Sequence, residues 1–539
     1  MIQPDALKDP GPLLWSTGTG VTVWQLFCAI IADDRDTVRR LVRGDPPIVR
    51  CHHAYRTTMY FAVRENRLEI AAFLLDHGAD PLSLAVDDSL LDICRDRGYH
   101  EMEAFLTSRY EAMFNASSRG NAVASAIRER RLDDMRELLD ASPGLLHIGD
   151  EQSSQPIHWA VMTRQLDVVD ELLARGADIN ARRYEGARPI HLYNGDYRYR
   201  GWRDVPPERM TRPAEVLSHL IARGACVDIC TAAHMGNLDR VKELVGKDPS
   251  LANRVTDYNS YYPGSGSPLR NAAMGGHLEI VKFLLESGAD PNLNEEGIAP
   301  HGAALHAASA GRHYEVAKLL LEHGANPNGE VESSADCLSF AMMNSDQPMI
   351  ELLKSYGAVR PTHLSAYYGD VASASAAFEA DPTLADDPEA LSNAAREGND
   401  AFVRLLLRYQ PGLAARVSVA GKTAEMTELL FSHGMNPSLP NWLLITPLHH
   451  FAAKGDLENA RIFLDHGADL SARDENLRST PLGWAAKFGR LAMVEFLLGR
   501  GASPRHPDDP PWATPLAWAI RRGHTRIAEV LRDREAAGA

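Results

Sequence analysis

The sequence has little cysteine and few aromatic residues. Aromatic side chains make up 7% of its 539 residues, so a core of Ala, Leu and Val is expected. Only two cysteines are close neighbours, and two ligands do not make a zinc site. We therefore expect buried, reduced thiols, a reducing compartment and no bound metal. The six cysteines are Cys28, Cys51, Cys94, Cys226, Cys230 and Cys337.

Long apolar runs and an excess of positive charge are also missing. The apolar run at residues 21–31 is interrupted by Thr22 and Gln25, and a bilayer span takes about 20 residues. The N-terminus has neither the basic start nor the apolar stretch of a secretory signal. Lys and Arg number 56 against 72 Asp and Glu, which gives a net charge of −16. We expect a cytoplasmic protein that binds neither nucleic acid nor membrane.

Catalytic and cofactor motifs are equally scarce. The sequence contains no H-E-x-x-H, C-x-x-C or G-x-S-x-G pattern. Gly421-Lys422-Thr423 resembles the end of a phosphate-binding loop, but Arg416 stands where the first glycine is needed. We therefore expect no cofactor and no catalytic residues, and we favour a protein that is not an enzyme.

What the chain does have is a repeat with a period near 33 residues. Its clearest copy is residues 267–292, which read SPLRNAAMGGHLEIVKFLLESGADPN. The glycine that closes each copy recurs with steps of 36, 33, 33 and 34 residues. Each copy has two apolar helical faces separated by a Gly-rich turn. These closing glycines are Gly288, Gly324 and Gly357, and then Gly434, Gly467 and Gly501.

This period, with its T-P-L-H-x-A type of opening, resembles the ankyrin repeat. The resemblance covers nearly the whole chain and implies an all-α solenoid of helical hairpins with short β-hairpin-like fingers. We predict about sixteen repeats, several of them degenerate. The finger is the extended segment between the second helix of one repeat and the first helix of the next. Such arrays generally hold other proteins on the concave finger surface.

One repeat illustrates how its residues specify two helices. Thr446 can cap the first helix, and Pro447 fits its first turn, where no amide donor is needed. Gly455 can end that helix in a left-handed conformation. His449 occupies the fourth position of the opening pattern, as do His158 and His191 in their repeats. In the ankyrin family this histidine bonds to neighbouring backbone, so we assign it a structural role.

The chain divides at a polar segment. Residues 108–121 include Ser-Ser-Arg-Gly and follow a weak repeat, so they are the best candidate for a flexible joint. We predict an N-terminal block at residues 1–110 and a main array at residues 121–539. The charged residues 514–539 suit a terminal repeat that caps the array, because one of its faces must meet water.

Two insertions, at residues 193–212 and 256–266, break the period and carry the strongest site candidates. Tyrosine and tryptophan give rigid contact area with a polar tip, and arginine forks pair with carboxylate and phosphate. We predict a partner-binding surface that takes a protein, an acidic peptide or an anionic ligand. The alternative is that these rings only pack the loops onto the solenoid. The candidate residues are Tyr193, Tyr197, Arg198, Tyr199, Arg200, Trp202 and Arg203 in the first insertion, with Tyr258, Tyr261 and Tyr262 in the second.

A second hypothesis comes from a different class of protein. Carboxylates and a histidine near the same aromatics are the ingredients of a small-molecule or carbohydrate site between residues 193 and 301. Paired carboxylates there could act as acid and base in a hydrolase or lyase. The residues concerned are Asp196, Asp204, Asp257, Glu295, Glu296 and His301.

The leading hypothesis is a non-catalytic protein–protein interaction scaffold. It would bind through its concave finger surface and through the two insertions, and we expect it to be a monomer. The abundance of Ala, Arg, Asp and Leu over Lys is compatible with a bacterial source.

Overall fold

The computed structural model describes residues 1–82, 89–196, 199–206, 211–258 and 264–538. Nearly all regular structure is helical, and consecutive helices pair as hairpins that stack on their neighbours. The prediction of an all-α, ankyrin-type solenoid is confirmed.

The helices are numbered here in chain order. Those of the N-terminal block are α1 (Gly20–Ile31), α2 (Arg35–Gly44), α3 (Thr58–Arg64), α4 (Leu68–Asp76), α5 (Leu90–Arg97) and α6 (His100–Phe114). The next part of the array contains α7 (Ser118–Arg128), α8 (Leu132–Ala141), α9 (Pro156–Met162), α10 (Leu166–Ala174), α11 (Gly201–Asp204), α12 (Pro213–Ala222), α13 (Ile229–His234), α14 (Leu238–Lys247), α15 (Pro268–Met274), α16 (Leu278–Glu286), α17 (Ala304–Ala310), α18 (Tyr314–Glu322), α19 (Cys337–Met343) and α20 (Gln347–Ser355). The C-terminal repeats contain α21 (Thr362–Tyr368), α22 (Val371–Ala380), α23 (Pro388–Glu397), α24 (Asp400–Tyr409), α25 (Ala424–Ser432), α26 (Pro447–Lys454), α27 (Leu457–Asp465), α28 (Pro481–Lys487), α29 (Leu491–Gly499), α30 (Pro515–Arg521) and α31 (Thr525–Gly538).

Short elements fill the remaining connections. Strands β1 (His52–His53) and β2 (Arg56–Thr57) pair antiparallel, with His52 opposite Thr57, and form one finger. Several helices are followed by a single turn of 3₁₀ helix that begins with a proline or directly after a glycine. These turns are Pro46–Arg50, Pro143–His147, Pro249–Asn253, Pro382–Ala385 and Leu413–Arg416, and two further ones are Asp5–Leu7 and Pro189–His191.

The closing glycines recur because each one occupies backbone that other residues rarely adopt. All six have a positive φ, between +84° and +93°, just after the second helix of a repeat. Gly455 ends α26 in the left-handed region, with φ of 80° and ψ of 26°, as its sequence predicts. The spacing of these glycines therefore marks the positions where the chain reverses between one helical hairpin and the next.

The opening histidines tie adjacent repeats together. In α9, the Nδ1 of His158 accepts from the backbone N–H of Gln155 at 3.0 Å, so its Nε2 donates to the carbonyl of Ala181 at 3.0 Å. In the same way, the Nδ1 of His449 accepts from the backbone N–H of Thr446, and its Nε2 donates to the carbonyl of Ser479. The structural role predicted for both is confirmed. His191 differs, because its Nε2 meets the carboxylate of Asp228 at 3.0 Å.

Burial of His158 should make the stability of this repeat depend on pH. Burial lowers the pKa of His158 to about 3, so only the unfolded chain takes up its proton between pH 6.5 and that value. The stabilising contribution is complete above pH 6.5 and is lost as the pH falls. We expect the wild type to lose about 2 kcal/mol more than His158→Gln between pH 6.5 and 4.5. Urea unfolding at the two pH values, monitored by hydrogen exchange of α9, measures this change in the free energy of unfolding.

A matched control uses a histidine that is exposed. His433 lies just after the end of α25, so His433→Gln should keep the wild-type pH dependence. Equal pH dependence of the wild type and His158→Gln would contradict the prediction.

The apolar core reveals a contact between distant parts of the chain. One hydrophobic cluster runs from Leu7 to Phe114 and continues from Ala366 to Leu531, which joins the N-terminal block to the C-terminal repeats. Two other clusters occupy the array between them. Repeat logic predicts one elongated core in which each repeat touches only its neighbours. The structure differs from that expectation, because the first repeats also pack against the last ones.

Fingers of the main array make this contact. The backbone N–H of Ile2 donates to the carbonyl of Trp442 at 2.9 Å, and the chain's amino group meets Glu475 at 2.9 Å. Farther along, Arg50 pairs with Glu296 at 3.2 Å, and the hydroxyl of Tyr55 donates to Glu332. The N-terminal block therefore lies against several fingers of the array and covers part of the finger surface.

The predicted joint at residues 108–121 has regular structure through most of its length. Helix α6 continues to Phe114, Asn115 ends it in the left-handed region, and the Ser117 side chain caps α7. Among the cysteines, Cys51, Cys94, Cys230 and Cys337 are buried, whereas Cys28 and Cys226 are exposed. Within the described ranges, no helix is both long enough and apolar enough to cross a membrane.

Candidate functional site

Both insertions contact the finger at residues 182–188. Tyr199 of the first insertion and Tyr258 of the second both pack against the same hydrophobic cluster. Arg182 of the finger donates from Nη1 to Asp257 of the second insertion at 3.2 Å. Tyr193 is buried and its hydroxyl meets His234 Nε2 at 2.9 Å, and burial raises the pKa of Tyr193 to about 12. Tyr193 therefore belongs to the core, whereas Arg182 and Asp257 are exposed.

A buried ion pair holds the first insertion in place. Arg183 donates from Nη1 to Asp196 Oδ2 at 2.7 Å, and its Nε lies 2.9 Å from Glu185. Burial acts to lower the pKa of Arg183, but the carboxylates of Asp196 and Glu185 outweigh it and raise that pKa above its ordinary value. The Asp196 Oδ1 also accepts from the backbone N–H of Tyr199 at 2.8 Å. Asp196 therefore connects the insertion loop to the finger.

Beside this pair lies a cleft of about 290 Å³, which we call the arginine cleft. Four arginines from the finger, from α14 and from the segment just before the second insertion line it, together with Asp228 and Asp257. Positive charge therefore exceeds negative charge in this cleft, although the chain as a whole is acidic. The arginines are Arg182, Arg188, Arg240 and Arg254.

The partners of these arginines differ. Arg182 and Arg254 share Asp257, and Arg240 pairs with Glu243 at 2.7 Å. Arg188 is half-buried, and in the described part of the chain its guanidinium has no hydrogen bond or ion pair. Arg188 is therefore the cation of the cleft that is available to an anion from outside.

Asp228 stays ionised at the floor of the cleft. Burial, the largest single effect, would raise its pKa, but the hydrogen bond and charge of His191 and the hydrogen bonds from Thr231 together outweigh it and keep the pKa of Asp228 below its ordinary value. The same carboxylate caps α13 by accepting from the backbone N–H of Thr231 at 2.8 Å. In the described part of the chain, Asp228 contacts His191 and Thr231 and forms no ion pair with Arg188.

Several predicted partner-binding residues lie elsewhere in this region. Arg203 is exposed and pairs with Asp204 at 2.7 Å. Arg200 is half-buried, and its backbone N–H donates to the carboxylate of Asp204. Trp202 lies in α11, and its side chain falls outside the described part of the chain. Tyr197, Arg198, Tyr261 and Tyr262 are also outside the described residues.

The carboxylates of the alternative site each contact an arginine. Glu295 is fully buried and pairs with Arg270 at 2.6 Å, whereas Glu296 pairs with Arg50 in the open. Asp196, Asp204 and Asp257 pair with Arg183, Arg203 and Arg182 respectively, and His301 is exposed. Of these six residues, Asp257 lines the arginine cleft. Hydrolase or lyase activity stays a prediction.

Sequence reasoning overlooked three residues of the arginine cleft. Asp228 and Arg240 come from an ordinary repeat, and nothing in that repeat's pattern distinguishes them. Arg254 immediately precedes the second insertion, and its position beside the tyrosines was the available signal. Only stacking of the repeats brings these three residues to the finger.

Comparison with known proteins agrees with the fold. A model of three ankyrin repeats matches residues 229–331, 271–363 and 413–508, and a single ankyrin repeat model matches residues 155–184. Together with the stacked hairpins, these matches define the class. The chain is an ankyrin repeat protein.

The relatives share the repeats and cover part of the chain. It is 25% identical over 205 residues to the E3 ubiquitin-protein ligase XBAT32 of Arabidopsis thaliana, a match covering 33% of this chain and 38% of that protein. It is also 25% identical over 266 residues to the ankyrin repeat protein nuc-2 of Neurospora crassa, covering 46% and 23% respectively. The match to the human transient receptor potential cation channel subfamily A member 1 is 25% identical and covers 30% and 17%.

The chain thus spans well under half the length of these curated relatives. What is shared is the array of ankyrin repeats. Such repeats indicate a protein–protein interaction scaffold.

Proposed function

We propose that this scaffold binds a protein partner through the arginine cleft and the insertion residues around it, and that the recognised segment of the partner is acidic. The observation that carries the proposal is Arg188, a half-buried guanidinium that forms no ion pair with any described residue and lies in a cleft with three other arginines. A carboxylate from a partner could bond to such a guanidinium in a two-pronged arrangement, which gives both affinity and orientation.

The surroundings of the cleft supply the rest of an interface. Tyr184 is exposed on the same finger, and Arg203 and Arg212 are exposed on the first insertion and just after it. Aromatic rings and arginines of this kind dominate the affinity of many interfaces. The fingers that include Trp442 and Glu475 contact the N-terminal block instead, so the proposal places the partner on the insertion side.

Reversing one charge tests the proposal. We expect Arg188→Glu to weaken binding of a poly-glutamate peptide at least about tenfold, because the carboxylate would then face a negative charge. Fluorescence anisotropy of the labelled peptide measures this change, and added salt should weaken the wild-type complex. Proteins that the wild type captures from a cell extract should no longer be captured by Arg188→Glu.

The control is Arg404→Glu, which reverses an exposed arginine on α24 far from the cleft in sequence. It should leave both readouts at the wild-type level. Equal peptide affinity of the wild type and Arg188→Glu, or equal binding of poly-lysine, would contradict the proposal.

A further inference from the structure

A second cavity lies where the N-terminal block meets the C-terminal repeats. It has a volume of about 500 Å³ and is lined from one side by β2, α3 and α5, and from the other by α26, α28 and α30. We call it the junction cavity. Its size is within the usual range for small-molecule sites. Neither block forms it alone.

Five cations and one carboxylate line the junction cavity. The cations are Arg56, Arg97, Lys454, Lys487 and Arg490, and the carboxylate is Asp96. Asp96 is already held by Arg522 at 2.6 Å and lies 3.8 Å from Arg521. The cavity is therefore strongly positive inside a protein whose net charge is −16.

The decisive residue is Arg56. Its side chain is 8% exposed, and its Nε and Nη1 atoms are buried without a hydrogen-bond partner in the described part of the chain. Its guanidinium lies 4.9 Å from the centre of the Tyr60 ring. A buried guanidinium without a counter-ion is costly, so the folded chain gains free energy when an anion reaches it.

Three further cations are left without a carboxylate. Arg97 is also 8% exposed and donates to the carbonyls of Arg64 and Asn476. Arg490 donates to the carbonyl of Ala453 at 2.8 Å, and Lys454 extends from the end of α26. Across the described ranges, none of these three forms an ion pair. Together with Arg56 they could neutralise a polyanion.

The other component of the cavity wall is aromatic. Five rings line it, namely Tyr60, Trp442, Trp484, Phe488 and Trp518. The indole Nε1 of Trp518 is buried without a hydrogen-bond partner among the described residues. Aromatic faces favour contact with a planar ring, and an unpaired N–H favours an acceptor on that ring.

We propose that the junction cavity binds a nucleoside phosphate, with the phosphates at Arg56, Arg97, Lys454 and Arg490 and the base among the aromatic rings. Charge and planar ring together select this class, because an inorganic anion would use only the cations and a nucleoside only the rings. The ligand would also join the two blocks, since each contributes part of the cavity.

Isothermal titration calorimetry of the full chain tests the proposal with ADP, GDP, adenosine and pyrophosphate. We expect at least one of the two nucleotides to bind more than about tenfold tighter than either adenosine or pyrophosphate. Binding should also slow hydrogen exchange in α3 and in the finger at residues 441–446, because a ligand stabilises the state that binds it.

Two variants locate the site. Arg56→Gln and Lys454→Gln should each weaken nucleotide binding about tenfold or more. Lys454 is exposed, so its replacement leaves the fold intact even if Arg56→Gln does not. The matched control is Arg188→Gln, which removes an arginine of the arginine cleft that has no ion pair among the described residues, and it should leave nucleotide affinity unchanged.

The proposal is overturned if neither nucleotide binds, if pyrophosphate or adenosine binds as tightly as the nucleotides, or if Lys454→Gln binds like the wild type. Loss of nucleotide binding in Arg188→Gln would also overturn it, because the ligand would then lie in the other cleft. Apart from that last outcome, acidic-peptide binding by the arginine cleft is independent of these results.

Discussion

Replacing Glu295 by glutamine is expected to destabilise the repeats around α15 and α17 by about 3–5 kcal/mol. Glu295 is fully buried, and its Oε2 accepts from Nη1 of Arg270 at 2.6 Å. Its Oε1 accepts from the backbone N–H of Ser267, the cap of α15, at 3.0 Å. Glutamine keeps the size and the hydrogen bond to Ser267, but it removes the charge that neutralises the buried guanidinium.

Hydrogen exchange of residues 264–310 measures this loss locally, which suits an array whose repeats can open in part. The control is Glu529→Gln, because Glu529 pairs with Arg526 at 3.0 Å in the open on α31. That control should leave exchange unchanged, since exposed pairs add little stability. Wild-type protection in Glu295→Gln would show that the charge is dispensable.

Replacing Phe61 by alanine is expected to cost about 3–5 kcal/mol and to loosen the N-terminal block from the C-terminal repeats. Phe61 is fully buried on α3, with its ring centre 4.6 Å from Phe27 and 6.1 Å from Trp442. The guanidinium of Arg64 lies 4.9 Å from the same ring. A large-to-small change here removes contacts within the block and across the junction together.

The readout is hydrogen exchange in two separate places, the N-terminal block and the finger at residues 441–446. Both should lose protection in Phe61→Ala. In the control Phe402→Ala, an equally buried ring is removed from α24, where it packs near Phe378 at 6.5 Å. Phe402→Ala should reduce protection from hydrogen exchange only in the repeats around α24. Unchanged exchange at residues 441–446 in Phe61→Ala would argue against coupling through the junction.

Local sequence patterns predicted the elements of each repeat well. Thr446, Pro447 and Gly455 begin and end α26 as expected, and Leu448 and Ala452 are buried on its inner face. The roles of His158 and His449 also followed from their place in the repeat. These predictions succeed because capping, chain reversal and helical periodicity depend on residues only a few positions apart.

The candidate site was predicted only in part. The tyrosines and arginines of the insertions were recognisable as departures from the period, and Tyr199 and Tyr258 both pack against one hydrophobic cluster. Arg188 precedes the first insertion and is not among the candidate residues. Its importance depends on Asp228 being engaged by His191 from another repeat, and no local pattern contains that information.

By itself, the sequence determined an acidic solenoid of ankyrin repeats, the ends of its helices and the places where insertions interrupt it. Only the tertiary structure decided that the first repeats return to the last ones and enclose a positive cavity between them. The reason is geometric, because each repeat adds a small rotation to the stack. Whether distant repeats meet depends on the sum of those rotations, which no single repeat encodes.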